Sequence, residues 1–247
     1  MAEIRLEHDG PVAVLTLDAP ERRNALTADM AHELQDACDR IDADSAVGAV
    51  VVRGSGGSFC AGAHRDLLAA AAEDPAEDAR LKAVQAVYGA FARVGRLEPP
   101  TVAAIEGAAV GAGVNLAFAT DLRVMAEDAR LLAGFLRIGL HPGGGHFTLV
   151  GRTAGREVAA ALALFGDDLD GRRARDLGVA WAAVPAAEVD ETALRLAHQA
   201  GRDPELARAA VRTLRLELGP PGVPWPVALE AETATQLWSL RRRQGSA

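Results

Sequence analysis

Only two cysteines, Cys38 and Cys60, occur in the 247 residues, so a disulfide framework is not indicated and a reducing compartment, the cytoplasm, fits. Positive charge is in short supply as well. The formal net charge is -8 and the isoelectric point near 5.3, which argues against a nucleic-acid or anionic-membrane surface, since both require clustered cations. A phosphate-bearing ligand would need local basic residues instead. No long uninterrupted apolar run is present. The most apolar region, residues 101–120, contains Glu106, Asn115 and several glycines and is too polar for a membrane span. The opening residues, with Glu3, Arg5 and Glu7, lack the uncharged apolar stretch of a signal peptide. No linker-like or low-complexity segment divides the chain, and no solenoid repeat is visible.

What is there is a chain 49% hydrophobic and 24% charged, enough for a sizeable core in one domain, or in one domain with a helical appendage. Apolar runs at 12–17 and 49–53 read as strands, and the interval 27–41 reads as an amphipathic helix opened by Thr27 as cap. A buried strand is predicted at 101–105, then a Gly-rich loop, a helix-compatible stretch at 114–119 and a strand at 122–125. Strand and helix thus alternate at α/β spacing. Residues 67–97 are Ala-rich and helical, with a break near Asp74-Pro75. Beyond Gly155 helices are predicted at 156–165, 172–177, 189–200, 204–216 and 227–242, the last two separated by the stiff turn Pro220-Pro221-Gly222-Val223-Pro224.

Two small-residue segments carry the functional signal: Phe59-Cys60-Ala61-Gly62-Ala63 and Gly107-Ala108-Ala109-Val110-Gly111-Ala112-Gly113, each after an apolar strand-like run. Such loops bring bare backbone N–H groups to a ligand. The second runs into a helix, which places Ala112 near a helix N-terminus where unpaired donors and the dipole favour negative charge. Two converging donors of this kind make an oxyanion hole.

With Asn24-Ala25-Leu26 after Pro20-Glu21-Arg22-Arg23, with Ala103-Ala104-Ile105-Glu106 before the second loop, and with Asp121-Leu122-Arg123 and Gly139-Leu140-His141-Pro142-Gly143-Gly144, these segments resemble the enoyl-CoA hydratase (crotonase) family. Order and spacing match over residues 1–245. The resemblance implies an α/β fold: a crotonase-like spiral of repeated ββα units over residues 1–190, and a C-terminal helical region, 191–247, for trimerisation and a pocket lid. It implies a homotrimer or a dimer of trimers. The implied ligand is an acyl-CoA thioester, with coenzyme A as part of the substrate and no separate cofactor, and the implied chemistry is that of a lyase or isomerase of fatty acid metabolism. Ala63 and Ala112 map onto the oxyanion-hole positions, with Gly111 beside them. Arg23, Ala25, Ala61 and Arg65 map onto CoA recognition, the two carbonyls near adenine and the two cations near phosphate. Arginine suits phosphate through its charge and planar donor fork, although Arg22 and Arg23 also read as a solvated cation pair.

The resemblance breaks where hydration chemistry would act. Family hydratases carry two glutamates that position water across the double bond, and the matching places hold Asn115 and Phe135. An amide does not titrate usefully, and a phenyl ring exchanges no proton. Asn115 can hold a water or a substrate hydroxyl by hydrogen bonds. His141 and His146 bracket the Pro-Gly stretch beside the missing second carboxylate and are the candidate replacement acid or base, titrating near neutral pH in the absence of perturbation. His64, after the first oxyanion alanine, is a third candidate and a possible substrate contact. Asp121 resembles a structural aspartate. Cys60 and His64 are four residues apart, but no third ligand accompanies them, so no metal is expected. A dinucleotide fingerprint fails because Leu116 stands where its third glycine belongs. Two functions remain open: an enzyme with unconventional proton transfer, and a non-catalytic acyl-CoA carrier or sensor.

Overall fold

The computed structural model describes residues 2–218 and, beyond them, 224–227, 229, 230, 233, 237 and 241. The N-terminal third runs β1 (Ile4–Asp9), β2 (Val12–Leu17), α1 (Ala28–Ala43) and β3 (Ala49–Gly54). The wholly buried run of β2 has sheet neighbours on both edges, antiparallel β1 and parallel β3, and a strand covered on both faces needs no polar alternation. Thr27 caps α1 by accepting from the Met30 N–H at 3.1 Å. The buried face of α1 is Met30, Leu34, Ala37, Cys38 and Ile41, an apolar stripe at helical spacing.

The middle of the chain follows with α2 (Arg65–Glu73), α3 (Asp78–Val94), β4 (Thr101–Ile105), β5 (Ala108–Val110), α4 (Ala112–Ala119), β6 (Leu122–Ala126) and β7 (Arg130–Leu132). The six-stranded sheet has the order β1-β2-β3-β4-β6-β9, and a second sheet has the order β5-β7-β8. Successive units therefore give one strand to each sheet: β4 and β6 pair in parallel in the first, β5 and β7 in parallel in the second. This alternation is the repeated strand-strand-helix spiral. Helix α4 is apolar on every side and buried from Gly113 to Phe118, because it passes through the interior rather than over it.

The last part contains α5 (His146–Ala163), β8 (Leu169–Asp170), α6 (Gly171–Asp176), β9 (Ala182–Val184), α7 (Val189–Ala200) and α8 (Pro204–Leu218). The predicted helix from 156 begins ten residues early, at His146, and bends at Gly155 (φ 81°). Residues 190 and 191 lie inside α7, which packs on β2, β3, β4 and β6. The turn at 220–224 lies outside the described residues except for Pro224, as does most of the 227–242 helix, whose described members are helical.

One buried cation joins α8 to the end of α1. Arg208 of α8, 7% exposed, donates to the carbonyls of Ile41, Asp42, Asp44 and Val47 and to Glu98 Oε2. These include orphan carbonyls at the C-terminal, negative end of α1. Arg208→Met is expected to lower the unfolding free energy by about 3 kcal/mol, because it leaves several buried acceptors without a donor. Urea denaturation of parent and variant checks the loss, and a difference under about 0.5 kcal/mol, the range of an ordinary surface substitution, would show that Arg208 is not structural.

Candidate active site

Three loops far apart in sequence are hydrogen-bonded into one surface. Asn24 has a left-handed backbone (φ 56°), which asparagine tolerates better than most residues, and its side chain is fully buried. Its Oδ1 accepts from Ala19 N at 2.9 Å, and its Nδ2 donates to the carbonyls of Ser55 (2.9 Å), Ser58 (2.7 Å) and Phe59 (3.3 Å). The loop at 54–59 is thereby fastened to the turn at 19–24. Further along, Ala61 N donates to Arg23 O, Leu26 N to Gly62 O and His64 N to Leu26 O, at 2.7–2.9 Å. The third loop joins through Cys60 N to Ala108 O at 3.2 Å and Val110 N to Cys60 O at 2.9 Å.

The pairing leaves two backbone donors over. Leu26 bonds Gly62 and His64, so the N–H of the residue between them, Ala63, points away from that bridge. Ala112 is the first residue of α4, where an N–H has no intrahelical acceptor. Among the described residues neither donor meets a backbone carbonyl. Gly62 (φ 89°) brings them together: a β-carbon there would stand 2.6 Å from Val110 O and 3.3 Å from Ala112 N. Gly113 is equally confined, since a β-carbon would run into the Cys60 carbonyl.

Asn115 lies one helical turn beyond Ala112 and is 1% exposed. Its Nδ2 donates to Gly143 O at 2.9 Å, and its Oδ1 lies 2.7 Å from Nδ1 of His146, the first residue of α5. Phe135 sets its ring edge-on to the His146 imidazole, with centroids 5.0 Å apart and planes at 71°. The same phenyl ring borders Gly111, 3.9 Å from where a β-carbon would be. Ala112, Gly111, Asn115, Phe135 and His146 thus form one wall. Burial pushes the His146 imidazole down to about 4, so it is neutral at pH 7 and does not titrate near neutrality, as an unperturbed histidine would.

The other sequence candidates are distributed around this wall. His141 Nδ1 lies 2.7 Å from Pro142 O, and the rings of His141 and His146 both stand edge-on to Phe147, with centroids 6.3 and 6.1 Å from the phenyl ring. His64 caps α2, its Nδ1 accepting from Asp66 N at 3.3 Å, which is a structural use of the ring. Arg23 and Arg65 are exposed, and Ala61 is partly so. The Ala25 carbonyl already accepts from Arg22 Nε at 3.0 Å. Arg22 is further paired with Glu3 and Glu21, so it belongs to the scaffold. Asp121 accepts from both the N–H and the hydroxyl of Thr101 at 2.8 Å, tying α4's exit to β4. Burial drives the Cys60 thiol up to about 12, which makes it inert as a nucleophile. Among the described residues no group of three or more His, Cys, Asp or Glu side chains is placed to hold a metal. Neither the role of Asn24 nor the pairing of Asn115 with His146 is visible in the sequence. A single Asn after two arginines gives no sign of three carbonyls more than thirty residues away.

The depressed His146 titration has a signed consequence. The unfolded chain binds this proton below about 6.5 and the folded one only below about 4, so stability is fully present above 6.5 and falls as the pH drops through 4. The loss amounts to about 3 kcal/mol at most. His146→Gln is expected to flatten the stability profile between pH 6.5 and 4 in chemical denaturation. Parallel profiles for parent and variant would contradict the burial effect.

The enoyl-CoA hydratase/isomerase family model matches residues 7–218. A probable enoyl-CoA hydratase of Mycobacterium tuberculosis is 40% identical over 218 residues, 88% of this chain and 83% of the relative. The 1,2-epoxyphenylacetyl-CoA isomerase of Escherichia coli is 30% identical over 213 residues, 86% of this chain and 81% of that enzyme. Among solved structures, an enoyl-CoA hydratase from Polaromonas superposes with a TM-score of 0.81 at 28% identity, covering 98% of this chain and 93% of that one.

Proposed function

This chain belongs to the enoyl-CoA hydratase/isomerase family, and from that premise we propose that it is a lyase or isomerase of acyl-CoA thioesters, holding the thioester carbonyl oxygen between the N–H groups of Ala63 and Ala112. The observation that carries this reading is the pair of uncommitted backbone donors brought side by side by the packing of Gly62 against Val110 and Ala112. Two donors and the positive end of α4 favour an oxygen that gains negative charge, as a thioester carbonyl does on its way to an enolate. One such donor is worth about 3 to 4 kcal/mol to the transition state. Both of these relatives are named for CoA thioesters, which supports the ligand class.

On the nucleotide side, the exposed cations Arg23 and Arg65 are the proposed phosphate partners, and the carbonyls of Ala25 and Ala61 the proposed acceptors for adenine. Arg22 is excluded from that role by its bonds to Glu3, Glu21 and Ala25. Coenzyme A enters as part of the substrate, with no further cofactor. The proposed assembly is a homotrimer or a dimer of trimers in the cytoplasm. Exposed Leu206 and Leu214, beside a groove of about 740 Å³ along α8, supply apolar surface for association, as do exposed Phe165 and Trp181. Among the described residues no helix is long and apolar enough to cross a membrane.

The proposed chemistry departs from ordinary hydration. Asn115 and Phe135 occupy the places that the family resemblance gives to two glutamates, and each positioned acid or base contributes about 10²- to 10⁴-fold. Crotonyl-CoA hydration is expected to run at least 10²-fold below a standard hydratase assayed beside it; equal rates would sink this assignment. A second reading, an acyl-CoA carrier or sensor without turnover, is favoured by the neutral amide–imidazole pair at that place. Turnover across short to long enoyl-CoA thioesters decides between the two.

The oxyanion assignment has its own test. Ala112→Pro removes one donor at the first position of a helix, where proline is best tolerated. Affinity for an enolate-mimicking CoA analogue is expected to fall by about 10²-fold in calorimetry. A folded variant that binds as tightly as the parent refutes the assignment.

A further inference from the structure

Trp225 rests on the turn that leads into α5. Its indole N–H donates to Gly144 O at 3.3 Å, and its ring stacks on Phe91 of α3, with centroids 6.2 Å apart and planes at 17°. Three glycines make room for this packing. A β-carbon at Gly145 would run into the indole, and one at Gly95, just after α3, would stand 2.8 Å from its Cζ3. A β-carbon at Gly144 would stand 2.5 Å from Phe91 Cζ and 3.0 Å from Asn115 Nδ2. The same turn is also held by α4, through the 2.9 Å bond from Asn115 Nδ2 to Gly143 O. Successive carbonyls of one turn thus accept from two elements far apart in the chain. Beyond the Trp225 anchor the contact is loose. A groove of about 560 Å³ lies between Tyr88, Gly89 and Ala92 of α3 and Pro226, Leu229 and Leu237, whereas a well-packed interior leaves few voids larger than a water. Much of the docking therefore rests on one ring, and a sparsely packed contact opens at less cost than the core does.

We propose that Trp225 is a positioning residue that couples docking of its own segment to the acyl-CoA site, an inference that rests on the acyl-CoA reading above. Its indole holds Gly144 while Asn115 holds Gly143, so the turn keeps its place against α4 only while the ring is seated. Helix α4 carries Ala112, the proposed donor, one turn before Asn115. A thioester bound at that donor favours the arrangement in which the ring is seated, and a seated ring favours the thioester. By linkage the two effects are one factor: the ligand strengthens docking as much as docking strengthens binding of the ligand.

Hydrogen exchange read by mass spectrometry, together with calorimetry, tests this on the full chain. In the ligand-free protein, Trp225→Leu is expected to speed exchange in the peptide spanning residues 143–149 about tenfold, and Trp225→Phe, which keeps a ring and loses the N–H, by less. Saturating butyryl-CoA is expected to slow exchange in the parent's peptide around Trp225 about tenfold, and Trp225→Leu to weaken butyryl-CoA binding by the same factor. A merely structural tryptophan would lower stability and leave both ligand effects absent. Unchanged exchange at 143–149 in Trp225→Leu, exchange around Trp225 that is indifferent to bound butyryl-CoA, or a folded Trp225→Leu that binds as tightly as the parent would each overturn the proposal. Trp225→Phe carries the same measurements if the leucine variant does not fold. Failure of the parent to bind butyryl-CoA would instead overturn the acyl-CoA reading, while exchange at 143–149 still decides whether Trp225 holds the turn.

Discussion

Hydrogen bonding among irregular loops, rather than the sheets themselves, sets where the two free donors stand. Asn24 fastens the loop at 55–59 from beneath, Leu26 grips Gly62 and His64, and Cys60 bonds Ala108 and Val110. Each bond is worth only about 1 kcal/mol net. Together they hold the three segments in one register, with Gly62 packed against Val110 and Ala112. Breaking Asn24 would leave an N–H and up to three carbonyls buried without partners, which costs more than the bonds contribute when made.

The same rule governs the few polar groups in the interior. Arg123 is 6% exposed and donates to Val179 O and Thr120 O at 2.8 Å, with its guanidinium 5.4 Å above the Phe118 ring. Burial lowers it to about 10, so it remains charged at neutral pH. The site wall follows a different course. Asn115 and His146 satisfy one another as neutral groups, and Phe135 closes the space with carbon. A carboxylate in Phe135's place would lie against the apolar edge of this wall and would be held protonated by its surroundings.

Much of the fold was legible because burial writes itself into periodicity. Thr27 announced α1, and the apolar runs of β2, β3, β4 and β6 stood out as continuous blocks. The strands β5, β7, β8 and β9 are two or three residues long and too short to display any period. β1 buries only Ile4 fully and carries charge at Arg5, Glu7 and Asp9, so it shows no apolar run. The start of α5 at His146 was hidden behind three successive glycines, and the bend at Gly155 looked like a beginning. For the site, the small-residue loops marked where two segments pack closely, since Gly62 and Gly113 leave no room for a side chain against Val110 and Cys60. The Asn115–His146 contact joins positions 31 residues apart, and no local pattern encodes it.

Arg208 gives the chain an order of assembly during synthesis. The carbonyls it satisfies at the end of α1 belong to residues made about 160 positions earlier. At about 5 to 20 residues per second, the first helix waits on the order of ten seconds or more for the group that completes its end. Until then those acceptors must be served by water, which keeps that edge of the nascent protein solvated. Helix α8 is therefore the closing fastener of the amino-terminal half, and a ribosome that stalls before it leaves the sheet formed but unsealed.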